Sequence, residues 1–331
     1  MKAVNVAEKT TIWTSGFIRL CLVNFLVYLS AYMLFPILAI VEADRMGMTV
    51  AQGGLLYIAF LVAMIVVGPF HAYLEDYYKR KRVYQYAVLC SLIAIGGYAF
   101  TKTFTHLFIL AFIHGACFGL AVTAGITIAI DITRSSRRTS ANLAYAICAR
   151  LGMLIGVVLG VWLYFNKGFL YSTYFSIACG ALCVFLLARV HVPFRAPIGV
   201  NHCSMDRFFL SRGWLLAFNF TLLAFMSGLL LAFLSQGIEL PLLSLASITI
   251  LIVPFTQMLI NLSQHCQRGT ANNTVHLSFD VGILGGIATA QYLLFYTSEA
   301  QVYQLVTSLL ILAVLFFVLV TYPYYKKKRI R

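Results

Sequence analysis

Arg150 and Asp280 stand at the same point of two repeated sequences. The first repeat runs from Arg138 through Ala141 and Asn142 to Arg150, Gly152 and Gly156. The second runs from Arg268 through Ala271 and Asn272 to Asp280, Gly282 and Gly286. Aligned without gaps over 19 positions, the two share six identities: an Arg, an Ala, an Asn, a Leu and two Gly. The one strong reversal sets a guanidinium against a carboxylate. Both stretches are apolar, and an ionisable group inside a membrane span costs at least ~2.5–3.5 kcal/mol and usually faces a cavity or a partner. Three kinds of chemistry are open to such a pair. It can break and remake as a gate, it can bind an ionic solute or a proton, or it can be a static salt bridge within the bundle. His276 lies four residues before Asp280, on the same helical face, and adds a group that titrates near neutrality.

Helical geometry orients the pair. At about 100° per residue, Gly152, Gly156 and Gly160 lie about 200°, 240° and 280° round from Arg150. Gly282 and Gly286 lie about 200° and 240° round from Asp280. In both helices the small face points away from the charge. Small faces allow close helix packing, which leaves the charged faces to look into a polar interior. Both charges sit about eight residues into their spans from the same side, roughly 12 Å deep. Arg150 and Asp280 are therefore expected to approach each other across an interface between two halves, with His276 nearby.

The elements that carry them are membrane helices. Of 331 residues, 61% are hydrophobic and 10% charged, with a mean hydropathy of +0.89. A water-soluble chain could not bury that much apolar surface, so its solvent is lipid. No run of short alternating strands supports a β-barrel. Runs of roughly 20 apolar residues predict ten spans at about 16–41, 50–70, 83–101, 106–130, 142–165, 169–188, 213–235, 241–262, 273–294 and 301–322. Lys2, Glu8 and Lys9 precede the first span. It is too long for a signal-peptide core and no small-residue cleavage site follows it, so it is expected to stay in the mature protein.

The net charge of +14 points to topology and anionic lipid rather than nucleic acid. With ten spans and both termini on one side, 20 of the 24 Lys and Arg fall on that side. Arg45, Lys102 and Lys167 fall opposite, and Arg150 lies within a span. This positive-inside pattern predicts cytoplasmic termini in a multi-pass protein of the cell membrane. Eight cysteines do not make a disulfide framework: six lie in spans, and Cys203 and Cys266 lie on the reducing side. The expected fold is all-α and polytopic. A six-helix bundle over 1–190 is followed by a cytoplasmic linker over 191–212. A four-helix bundle with a basic tail occupies 213–331.

The loop after the second span reads Ala72-Tyr-Leu-Glu-Asp76-Tyr-Tyr-Lys79-Arg80-Lys81-Arg82. It resembles the loop between helices two and three of the major facilitator superfamily, whose pattern is Gly-x-Leu-x-Asp-Arg-x-Gly-Arg-Arg. Leu74, Asp76, Arg80 and Lys81 match. Ala72, Tyr77 and Lys79 stand where that family usually has Gly, Arg and Gly. The six-span first half, the basic central linker and the Gly152, Gly156, Gly160 series add to the likeness, which covers most of the chain.

The resemblance implies two bundles around a cavity lined by helices one, four, seven and ten. The polar residues on those helices here include Asn24, Tyr28 and Tyr32; His114 and Thr123; Asn219, Thr221 and Ser227; and Thr256, Gln257 and Asn261. It also implies that Asp76 and the basic residues after it hold neighbouring helices on the cytoplasmic face, with Asp131 the partner expected for Arg80. The family has twelve spans in two halves of six. Because the repeat matches helices five and eleven, helices eight and nine are the pair expected to be missing; the alternative is that 213–262 folds differently from the family. A missing pair raises the prospect of an oligomer or a partner sealing the short half.

Other chemistry is not supported. No Walker-type Gly-x4-Gly-Lys-Ser/Thr, His-Glu-x-x-His, paired-Cys zinc spacing or Gly-x-Ser-x-Gly occurs. Ser278 points about 160–200° away from His276 and Asp280, so the three form no triad. Neither cofactor nor metal is expected, and no enzyme. The expected function is secondary transport of a small solute by alternating access, with Asp280 and His276 the candidates for proton coupling. The alternative is a non-transporting or partner-dependent relative that lost two helices.

Overall fold

The computed structural model describes residues 11–47, 49–193, 199, 202–205, 208–231, 239–264 and 267–330. Lys2, Glu8, Lys9, Arg195, Pro197, Asp206, Arg207, Cys266 and Arg331, which entered the topology, linker and thiol readings, lie outside the described residues. The described residues are helical, without strands. The helices are α1 (Ser15–Met46), α2 (Val50–Val67), α3 (His71–Tyr78), α4 (Arg80–Tyr98), α5 (Phe104–Asp131) and α6 (Arg138–Lys167). They continue as α7 (Phe169–Ala188), α8 (Trp214–Leu231), α9 (Glu239–Leu262), α10 (Arg268–Tyr296), α11 (Glu299–Phe316) and α12 (Tyr322–Lys328). A short turn at Gly68–Phe70 joins α2 to α3, and a π-turn at Phe317–Thr321 joins α11 to α12.

Local chemistry sets the helix ends. Thr14 caps α1 by accepting from the Phe17 N–H. Thr49 with Gln52, and Ser298 with Gln301, form capping boxes at α2 and α11. Gly47, at φ 62°, ends α1, and Gly168, at φ 91°, separates α6 from α7. Among the described residues, eight helical stretches are long and apolar enough to cross a membrane. The two other expected spans are α4, which opens on Arg80, Lys81 and Arg82, and α10, whose first half carries Arg268, His276 and Asp280. Both pack among the rest.

The glycine faces decide the packing. In the first half α6 lies along α1. A Cβ at Gly152, Gly156 or Gly160 would collide with the carbonyls of Phe25, Leu29 and Met33. In the second half α10 lies along α8. There a Cβ at Gly282 or Gly286 would collide with the carbonyls of Thr221 and Phe225. Each repeat therefore docks its small face on the first helix of its own half. The halves meet where α10 lies against α2 and where α9 lies against α6. At Gly54 a Cβ would stand 2.8 Å from the Ala288 carbonyl of α10, so this seam is closed near the start of α2. The face that carries Arg19, Arg80, Arg138, Arg268 and Lys326 is called the basic face below.

Candidate functional site

Arg150 and Asp280 meet in the interior, where α1, α6 and α10 converge. The Arg150 side chain is fully buried, and that of Asp280 is 2% exposed. Arg150 Nη1 donates to Asp280 Oδ1 at 3.0 Å. Tyr28 Oη donates to Asp280 Oδ2 at 3.1 Å and Tyr32 Oη to Oδ1 at 3.4 Å. Tyr28 and Tyr32 are one turn apart on α1 and their rings stack, with centroids 6.0 Å apart. The guanidinium carbon lies 3.8 Å from the Phe279 ring centroid and 4.8 Å from that of Tyr28. Such rings stabilise a desolvated cation through their negative faces.

His276 completes the cluster. Arg150 Nη2 is 2.9 Å from His276 Nδ1. A guanidinium can only donate, so Nδ1 accepts and the neutral imidazole carries its proton on Nε2. His276 Nε2 and Arg150 Nε are buried and have no hydrogen-bond partner. The glycine faces set this geometry: with them docked on α1 and α8, the opposite faces of α6 and α10 turn toward each other.

A second network lies on the basic face. Arg80 pairs with Asp131 at the end of α5. Its other contacts are Asp76 at 3.9 Å and Glu75 at 4.0 Å. Thr127 Oγ1 donates to Glu75 at 3.5 Å. Lys81 Nζ donates to the carbonyls of Ala188 and Val190, both at 2.8 Å, and so caps the end of α7. Together these contacts tie the α3–α4 turn to α5 and α7.

Between α3, α5 and the start of α10 opens a cavity of about 630 Å³, lined by Glu75, Asp76, Arg80, Asp131 and residues of α10. Thr123 and Asn273 line its inner part and also a void of about 10 Å³ beside Asp280. Phe208 lines that same void. Its carbonyl accepts from Asn273 Nδ2 at 2.8 Å, and the Leu210 N–H donates to Thr274 Oγ1 at 2.8 Å. The Phe208 ring fills the space a side chain at Gly68 would need.

A Major Facilitator Superfamily profile matches residues 20–260, from the first helix of one half into the second half. The chain belongs to the major facilitator superfamily. Membership makes it a membrane transporter rather than an enzyme. Among solved structures, the human organic anion transporter MFSD10 (TETRAN) is similar, at a TM-score of 0.62 and 16% identity, over 91% of this chain and 98% of that one. The nucleoside transporter NupG matches at a TM-score of 0.59 and 14% identity, over 92% and 99%. A bacterial homolog to the human lysosomal transporter Spinster matches at 0.50 and 14%, over 91% and 79%. At these identities the likeness is one of fold, and it extends over nearly the whole carrier. Among curated protein sequences none matches.

The carrier brings Arg150, Asp280, His276 and Tyr28 into one cluster, and Asp76, Arg80 and Asp131 into another, with Lys81 next to the second. Tyr32 joins the first cluster and Thr123 lines the void beside it, while Asn24, His114, Asn219 and Gln257 are placed elsewhere. Asn24 donates to the Tyr145 carbonyl at 2.9 Å and ties α1 to α6. Asn219 donates to the Ala313 carbonyl at 2.9 Å and ties α8 to α11. His114 is buried within the first half, 3.1 Å from Tyr98 Oη and beside the rings of Phe35 and Phe60. Gln257 does not reach the interior: it is exposed on α9 and bonds to Asn261 at 3.1 Å. Polarity within a span marked these residues, but a polar side chain is satisfied as well by a neighbouring backbone carbonyl as by a solute.

Phe279 and Phe208 escaped the sequence reading. Phe279 looked like one more apolar residue. Its signal was its place beside Asp280, on a helix that had to receive an arginine. Phe208 opens an apolar triplet, Phe208-Phe209-Leu210, near the end of the linker.

Proposed function

We propose that this carrier is a secondary transporter of a small solute, working by alternating access with the Arg150–Asp280 pair as its coupling centre. The observation behind this reading is the ion pair itself. It is buried, it joins the two repeats, and it is the only link of opposite formal charges between the halves among the described ion pairs. Breaking it separates α6 from α10, the motion that rocking halves require. Asp280 is the proton acceptor and His276 its neighbour in the path. The basic face is cytoplasmic, the membrane is the cell membrane, and the cavity beside Glu75 is the cytoplasmic vestibule. Phe208 closes the inner end of that vestibule, and the chain divides at the linker over 191–212. Lipid rather than a partner subunit covers the short half. Exposed polar side chains there bond within their own helix: Ser247 to Leu243, Gln257 to Asn261, Thr307 to Tyr303 and Ser308 to Gln304.

The test is solute flux into proteoliposomes across a broad solute panel, with and without a pH gradient. Flux that accelerates with the gradient and loses this dependence in Asp280→Asn supports the reading. Stable, folded protein that moves no solute favours the second reading, a non-transporting relative. That reading is motivated by the four-helix second half and by an α11–α12 stretch whose most apolar 18-residue window is only 11% buried.

A further inference from the structure

We propose that the solute is a monovalent organic anion, bound by Arg150 in exchange for Asp280 and carried together with one proton, with no net charge moved through the site. The inference rests on the transport reading above and adds the chemical class of the solute and the stoichiometry.

The donor and acceptor inventory of the cluster is one-sided. Arg150 supplies five N–H groups, Tyr28 and Tyr32 each supply an O–H, and His276 supplies Nε2–H. Against them stand the Asp280 carboxylate, which already receives from Arg150, Tyr28 and Tyr32, and His276 Nδ1, which already receives from Arg150. Arg150 Nε–H and His276 Nε2–H are left buried without an acceptor. A buried donor left unmade is costly, so the chemistry this pocket lacks is an acceptor. A cation or a solute that only donates would add to the imbalance. An anion's oxygens would answer it.

Charge balance gives the stoichiometry. The cluster holds one cation, Arg150, and one anion, Asp280, with His276 neutral. The other groups facing Asp280 are the two tyrosines of α1. From α2 and α5 come only Met64, Gly119, Val122 and Thr123 to the void beside it. In so buried a place an unbalanced charge is strongly disfavoured. Protonating Asp280 alone would leave Arg150 unpaired, and adding an anion alone would leave two negative charges against one positive. Only the two together keep the balance. The proton goes to an Asp280 carboxylate oxygen, and the freed guanidinium and tyrosyl O–H groups turn to the incoming anion. The rings of Tyr28, Phe279 and Phe118 around the cluster suit an anion with an apolar body.

The experiment uses purified full-length protein and a panel of monovalent carboxylates and sulfonates, with benzenesulfonate as the reference because it stays ionised throughout. Benzenesulfonamide and benzyltrimethylammonium serve as neutral and cationic counterparts. Binding is read by ligand-induced thermal stabilisation from pH 5 to 8. The expected result is that anions alone stabilise, with an apparent Kd that rises by about tenfold per pH unit once Asp280 is ionised. In Asp280→Asn the anion is expected to bind without this pH dependence. In proteoliposomes, anion uptake should follow a pH gradient and ignore an imposed membrane potential. No stabilisation by any anion of the panel, preference for the cation, or uptake driven by potential overturns the proposal. If the neutral or cationic probe is transported, secondary transport stands and only the anion inference fails. If no solute class is moved, the transport reading falls as well.

Discussion

Arg150 carries its charge into a place without solvent and is held there by one carboxylate, one imidazole and two aromatic rings. Removing one partner of such a pair leaves the other charge uncompensated, which costs about 3–5 kcal/mol. Asp280→Ala and Arg150→Ala should each lower stability on that scale, measured by thermal unfolding in detergent. The exchange Arg150→Asp with Asp280→Arg should recover part of it. If transport fails as badly in the exchange as in either single variant, mutual pairing is not what the cluster does. A smaller effect belongs to Lys79, which adopts φ 70° and ψ 127° in the turn between α3 and α4. The superfamily usually has Gly here, and a side chain at positive φ explains why: the strain is on the order of 1–3 kcal/mol. Lys79→Gly should therefore raise the melting temperature. A fall would mean that the lysine makes a compensating contact.

Helix-scale positioning depends on carbonyl-to-glycine contacts. Gly156 leaves room for the Leu29 carbonyl, and Gly286 for that of Phe225. Enlarging either residue pushes its helix off α1 or α8 and carries Arg150 or Asp280 away from its partner. Overpacking of this kind costs about 1–3 kcal/mol. Gly156→Leu and Gly286→Leu should reduce transport more than their stability loss explains, read as flux per folded molecule. The linker contributes at the same scale. Phe208 and Leu210 are bonded to α10 through Asn273 and Thr274, and Phe208 lines the void beside Asp280. In a cysteine-free background, Leu277→Cys should react faster with a water-soluble thiosulfonate when Phe208→Ala is added. An unchanged rate would remove Phe208 from the closure of the vestibule.

At the scale of the whole molecule, the short second half leaves α11 largely uncovered: the most apolar 18-residue window of Ala300–Lys328 is 11% buried, against 89% for that of Ser15–Leu38. In water such a face would need a protein partner, but lipid tails solvate it as well as another helix would. Ser247, Gln257, Thr307 and Ser308, exposed on α9 and α11, bond within their own helices, so these groups ask for no partner. The carrier should therefore be monomeric in lipid nanodiscs, by native mass spectrometry or single-molecule photobleaching. A stable dimer would point to protein covering α9 and α11.

Spans, the repeat, the loop motif and the charge reversal were legible in the chain because each follows from local chemistry. Lipid demands runs of apolar residues, a helix of fixed pitch puts glycines opposite a charge, and basic residues collect in loops. The approach of Arg150 to Asp280 was also within reach, since two costly charges at matching depth have few places to go but toward each other. The sequence could not tell which polar residues would be consumed by backbone carbonyls. Asn24, Asn219 and Gln257 look alike along the chain, yet two tie helices together and the third faces outward. Nor could it show that Phe279 would stack on a guanidinium from another helix, or that Phe208 would fold from the linker against α10. Those placements join residues far apart in sequence, and only the packing of the helices sets their distances. The one-sided supply of donors around Asp280 is likewise a tertiary fact. It arises where residues of α1, α6 and α10 share one buried volume, which no single stretch of sequence contains.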